Sequence, residues 1–195
     1  MNRIIFFTIL LGLIFIDLKA QKISVDRIEA DGTHQIMTNT EDFVIGGTKY
    51  SFGMKVFESS FSKEWFLLIS SFLYISDYTN VLLKLGNGDI VYLPVNNVHV
   101  GKVTMPSYGV TIGTITSITP STQADYYSSV YELKEEDMNK IDIYGISKIR
   151  ISNGVEYFDK KYRSNSLGKF LTKCRKSIKK RLDNPLKSGD IFDDF

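Results

Sequence analysis

The chain has one cysteine, Cys174, four prolines and two histidines, His34 and His99. A lone thiol excludes an intramolecular disulfide framework and any zinc site built from several cysteines. Scarce proline beside 13% aromatic residues argues against low-complexity linker and favours strands. Long apolar stretches are also missing beyond the N-terminus. The longest, Trp65 to Ile75, contains Ser70 and Ser71 and is too short to cross a bilayer as a helix, so the chain past the N-terminus reads as soluble. What is present fits an ordinary globular protein: hydrophobic residues are 43% and charged residues 24% of 195, which excludes wholesale disorder. The length allows one sizeable domain, or two small ones at most.

The first twenty residues read as an address. Asn2 and Arg3 give a short positive start, and Ile4 to Ile16 follow without a charge, broken only by Thr8 and Gly12. Such a run has the length of a signal-peptide core and falls below the roughly 18–20 residues of a membrane span. Ala20-Gln21 is the expected cleavage point, with Leu18 departing from the small-residue rule three positions before the cut. No cysteine lies near residue 20, which excludes a lipoprotein anchor. The expectation is export, to the periplasm or the exterior.

Residues 21–195 read as one β-rich domain. Ile23 and Val25 alternate in a strand over 22–28, Asp31-Gly32 marks a turn, and His34–Thr38 is the returning partner. Tyr50, Phe52, Met54 and Val56 share one face of a period-two segment. Trp65–Ile69 and Phe72–Ile75 are apolar on both faces, as in a strand covered on both sides; a buried helix is the competing reading. Val81–Leu85 and Ile90–Leu93 flank Gly86-Asn87-Gly88-Asp89, a tight hairpin signal, and Pro94 is expected to end that ladder. Further strands are expected at Val98–Met105, Gly109–Ile118, Tyr126–Leu133, Ile146–Ser152 and Val155–Phe158. The fold class is therefore mainly β (α+β), an antiparallel β-sandwich or strongly curved sheet. Two helices complete it. One is short, Glu135–Ile141, with acids at its positive end. The other runs from about Ser164 to Asp183, with Ser164 or Ser166 as cap and Asn184-Pro185 as stop. In it Leu167, Phe170, Leu171, Cys174, Ile178 and Leu182 draw one apolar stripe that packs on the sheet.

Groups suited to catalysis are sparse. Cys174 sits on the apolar stripe and reads as a buried structural thiol; His34 beside a turn and His99 in an alternating strand read as surface or satisfied polar residues. No phosphate loop, zinc-protease helix or serine nucleophile elbow occurs. Gly109-Val110-Thr111-Ile112-Gly113 has an elbow's outline with Thr in place of Ser, but no helix follows it. Acid clusters at Glu135-Glu136-Asp137 and Asp193-Asp194 read as solvated. Asp26, Glu29 and Asp31, and Asn39, Glu41 and Asp42, are oxygen-rich yet do not match an EF-hand loop. No catalytic residue, metal or cofactor is implied.

Charge placement is the unusual feature. Residues 21–159 hold 11 basic and 17 acidic groups, and residues 160–195 hold 11 basic and 4 acidic ones. The last helix thus presents Lys169, Lys173, Arg175, Lys176, Lys179, Lys180 and Arg181 as a candidate contact for an anionic surface, such as lipid head groups. The bland alternative is a helix docked by its stripe with its lysines simply solvated. Nucleic acid is disfavoured, since no aromatic interleaves the basic run except Phe170 of the stripe.

Several segments together resemble a group of small exported proteins of Gram-negative bacteria: Val25-Asp26, the hairpin Leu83-Lys84-Leu85-Gly86-Asn87-Gly88, the segment Tyr131-Glu132-Leu133-Lys134-Glu135-Glu136-Asp137, and Ile146-Ser147-Lys148-Ile149-Arg150-Ile151. Lys134 departs from the Ser cap expected there. The resemblance implies a β-rich exported protein and no particular activity. The resulting expectation is a non-enzymatic envelope protein, a binding or structural module whose partner is another envelope protein or an anionic surface. Two competitors stand beside it: a hydrolase of glycan or envelope polymer using Asp and Glu, and a peripheral membrane protein attached through the basic helix.

Overall fold

The computed structural model describes residues 21–105, 108–112, 115–119 and 121–184. The N-terminal address with its cleavage point, Gly113, Pro185 and the acidic end at 189–195 lie outside them. The described residues form twelve strands and two helices, in chain order: β1 Ile23–Ile28, β2 His34–Thr38, β3 Glu41–Ile45, β4 Thr48–Glu58, β5 Lys63–Ser71, β6 Asn80–Leu85, β7 Ile90–Met105, β8 Tyr108–Ile112, β9 Ile115–Thr119, β10 Thr122–Glu132, α1 Glu135–Tyr144, β11 Ile146–Ser152, β12 Tyr157–Lys161 and α2 Ser166–Asp183. Ten strands make one antiparallel sheet, ordered β1-β2-β4-β5-β10-β7-β6-β11-β12 with β3 also on β4. Strands β8 and β9 pair with each other as a hairpin.

One hydrophobic cluster gathers residues from both halves of that order. Ile36, Phe52, Met54, Leu67 and Ile69 pack with Leu83, Ile149 and Ile151, and the stripe of α2 fills the same core through Leu167, Phe170, Leu171, Cys174 and Ile178. The amphipathic period thus does in three dimensions what it promised. The end strand β12 also touches β3 and β4 from the other half of that order. Phe158 of β12 lies 6.4 Å ring to ring from Tyr50 of β4, and Tyr162, just past β12, lies 6.4 Å from Phe43 of β3.

Several local expectations change. The segment from Trp65 is a strand, not a helix, buried on both faces as far as Ser71. There it ends, because the Ser71 hydroxyl donates to the Lys49 carbonyl and accepts the Leu73 N–H, turning Phe72 and Tyr74 outward. Pro94 does not stop its strand. It pairs with Asn80 at the last rung of β6, and Val95 opens the ladder with β10, so the missing donor falls where β7 changes partner. Gly109–Ile118 is two strands rather than one. The sequence reading passed over β3, which Gly46 and Gly47, both at positive φ, fold back onto β4.

The cap of α2 is Asn165, not Ser164 or Ser166. Asn165 adopts φ 51 and turns its side-chain carbonyl away from the helix to accept the Ile146 N–H at 2.6 Å. Gly145 and Gly168 make room for it: a Cβ on either would come within 2.2 Å of the Asn165 amide. Gly145, at φ 66, also ends α1, donating its N–H to the Ile141 carbonyl. Lys134 caps α1 without any side-chain bond.

Candidate functional site

Helix α2 runs with its apolar stripe in the core, so its charged residues divide between two flanks. On the flank turned toward α1 lies Arg175, whose side chain is 6% exposed. Its guanidinium reaches Asp142 through one terminal nitrogen and Glu135 and the Asn139 side-chain oxygen (2.7 Å) through the other. Glu135, Asn139 and Asp142 stand at i, i+4 and i+7 of α1 and therefore share one face. Lys179, one turn on from Arg175, donates to Glu135 at 3.1 Å. Thr172 donates to Asp142 at 2.6 Å. Partial burial pushes the Glu135 carboxyl up, but the bonds from Lys179 and Arg175 outweigh it and leave it below the usual range.

Near the C-terminal end, Arg181 donates to Asp26 of β1, whose second oxygen takes Nε2 of His34 at 2.7 Å. His34 is thus a satisfied polar residue. Two of the candidate contact residues, Arg175 and Arg181, are consequently tied into the fold and are not offered outward, and Lys179 is shared with Glu135. Arg175 is the clear correction. A fully solvated helix face would have exposed it, whereas the acidic face of α1 draws it inward.

The other flank is different. Lys169, Lys173, Lys176 and Lys180 are all exposed, and among the described residues none has a carboxylate oxygen within 4.0 Å. Their positions, i, i+4, i+7 and i+11, make one stripe about 16 Å long at the helical rise. The four line an open groove of about 630 Å³ with Asp142, Asn165, Thr172 and Ser177. Each successive pair of lysines is a like-charge i,i+3 or i,i+4 neighbour, unfavourable by about 0.2–0.5 kcal/mol apiece. An anion laid along the stripe relieves that repulsion.

Cys174 is fully buried in the core with Thr38 donating to its sulfur at 3.6 Å, and burial pushes its thiol up to about 12. It stays protonated at neutral pH and is no nucleophile. His99 is exposed on β7. Asp159 of β12 receives Arg150 at 2.7 and 2.8 Å and pairs with Lys148; the Arg150 bond, above all, takes its carboxyl down to about 2, against the opposing effect of burial. Asp26, Glu135, Asp142 and Asp159 thus all meet cations. A polymer-cleaving pair would need one carboxyl kept protonated instead. Among the described residues no three His, Cys, Asp or Glu gather to hold a metal, and no helix is long and apolar enough to cross a membrane. Of the oxygen-rich turns, Asp42 is taken by Lys49 and Ser51, and Asp31 by the Thr33 N–H.

The inward partners of Arg175 were the residues that sequence reading missed. The signal was present as the Glu135, Asn139, Asp142 spacing, hidden because the helix was expected to stop at Ile141. Compared with protein-family models, curated proteins and solved structures, the chain matches none.

Proposed function

We propose that the protein is an exported, non-enzymatic binding module of the cell envelope, which lays the outer flank of α2 on an anionic surface of acidic lipid head groups. In this reading the sheet is strongly curved around α2, which the meeting of Phe158 with Tyr50 and of Tyr162 with Phe43 supports. The N-terminal pattern of residues 1–20 and the likeness to small exported proteins support export. One observation carries the binding reading: Lys169, Lys173, Lys176 and Lys180 stand exposed in a row without carboxylate partners among the described residues, although the same helix neutralises its inward cations. A basic stripe held by a folded scaffold adsorbs to acidic lipid through charge, not insertion, and each lysine near the surface contributes about 1 kcal/mol.

Co-sedimentation with vesicles tests this. The protein is expected to pellet with vesicles rich in phosphatidylglycerol, to stay in solution with pure phosphatidylcholine, and to be released by salt. Replacing all four lysines by glutamine is expected to lower partitioning on the order of a thousandfold, from four contributions of about 1 kcal/mol each. Equal binding to neutral vesicles, indifference to salt, or an unaffected quadruple variant would overturn the reading.

A further inference from the structure

A different part of the molecule, independent of the lysine stripe, points to a partner of another kind. Strand β10 is flanked by β5 only from Tyr127 to Glu132, and β6 leaves β7 at Pro94. Beyond those points β7 and β10 have, among the described residues, only each other, through the rungs Gly101–Tyr126 to Met105–Thr122. The result is a two-stranded ribbon extending past the sheet. Such ribbons are marginal in water without a third strand or a covering layer. Along β7 the whole edge from Val95 to Met105 has no ladder partner among the described residues.

The edge is also poorly guarded. Natural sheets blunt a free edge with charges, proline, bulges or a cover. Here Lys102 and Asp125 are the only charged residues in the thirty-seven from Val95 to Tyr131, and they stand opposite each other across the ribbon, so the ribbon is neutral. Past Asn97 the ladder runs without a register shift. Val100 is 60% exposed and Val103 40% exposed.

We infer that the free edge of β7 pairs antiparallel with the same edge of a second copy of this chain, joining two sheets through their ribbons. The one charge on this edge, Lys102, constrains the register. With Val100 on the two-fold axis, Lys102 of one copy stands opposite Val98 of the other, His99 stands opposite Gly101, and two β-branched valines meet at the centre. A slip that centres Lys102 opposes two lysines and is disfavoured. A neutral edge presents no charge pattern by which to choose a foreign strand and no barrier to its own copy.

Sedimentation velocity of the purified protein over a concentration series is expected to show a monomer–dimer equilibrium. Val100→Asp, which sets two carboxylates face to face at the axis, is expected to leave a monomer with unchanged circular dichroism. As a second readout, Val100→Cys is expected to form a disulfide-linked dimer in air that thiol reverses, faster than Val155→Cys on the exposed turn before β12. Cys174 is buried and does not compete. A wild type that stays monomeric throughout, a dimer that survives Val100→Asp, or cross-linking no faster at position 100 than at 155 would overturn the inference.

Discussion

Where α2 faces the rest of the fold, Arg175, Lys179 and Arg181 each meet a carboxylate, from Glu135 and Asp142 on α1 or Asp26 on β1. On the outward flank, four lysines with the same formal charge meet none among the described residues. Side-chain chemistry alone does not separate the two groups; what lies opposite does. Arg175 belongs to the fold because α1 supplies an acidic row against it, and a planar guanidinium can serve both carboxylates and the Asn139 amide at once. The outward lysines are unsupported by the fold and so remain free for something outside it.

The sharpest way to break the comparison is to cut the inward network. Arg175→Ala leaves Glu135 and Asp142 without their shared cation and opens a gap beside Leu171, so it is expected to lower unfolding stability in urea by about 3 kcal/mol. Arg175→Met, which fills the space, is expected to lose less. A loss below about 0.5 kcal/mol for the alanine variant would mean that the network adds nothing to the fold.

Acid titration extends the comparison to the other clamped carboxylate, Asp159. Its folded value is depressed from 3.8 to about 2, so its contribution is fully present above the unfolded value and is lost as pH falls through the folded one. The stability gap between wild type and Asp159→Asn is therefore expected to hold near neutrality and to narrow between pH 3.8 and about 2. A gap that stays constant to the acid end would show that the Arg150 bond does not discriminate the charged form. The smallest effect belongs to the outward flank. Changing Lys169, Lys173, Lys176 and Lys180 together to glutamine is expected to leave thermal unfolding unchanged or slightly raised, since only like-charge repulsion of about 0.2–0.5 kcal/mol per pair is removed. Marked destabilisation would place those lysines in the fold after all.

Much of this architecture was legible from local patterns. The Asn87-Gly88 hairpin, the alternation over Tyr50–Val56 and the stripe from Leu167 to Ile178 each encode their own geometry in spacing, and each forms as expected. Long-range matters were not legible. That β7 serves two neighbours in succession, and so passes Pro94 unharmed, depends on where β6 stops and β10 begins. Likewise the division of α2 into two flanks depends on α1 and β1, which lie 33 to 155 residues away along the chain. A helical wheel shows which cations share a side but not which side faces an acid.

The bond from Arg181 to Asp26 ties the final helix to the opening strand, and the same helix fills the middle of the core. Closure of this interior must therefore wait until nearly the whole polypeptide is available, because no early portion can enclose its own apolar surface. A chain cut before Ser166 is left with that apolar surface open, because Leu167, Phe170, Leu171, Cys174 and Ile178 are the side chains that cover it.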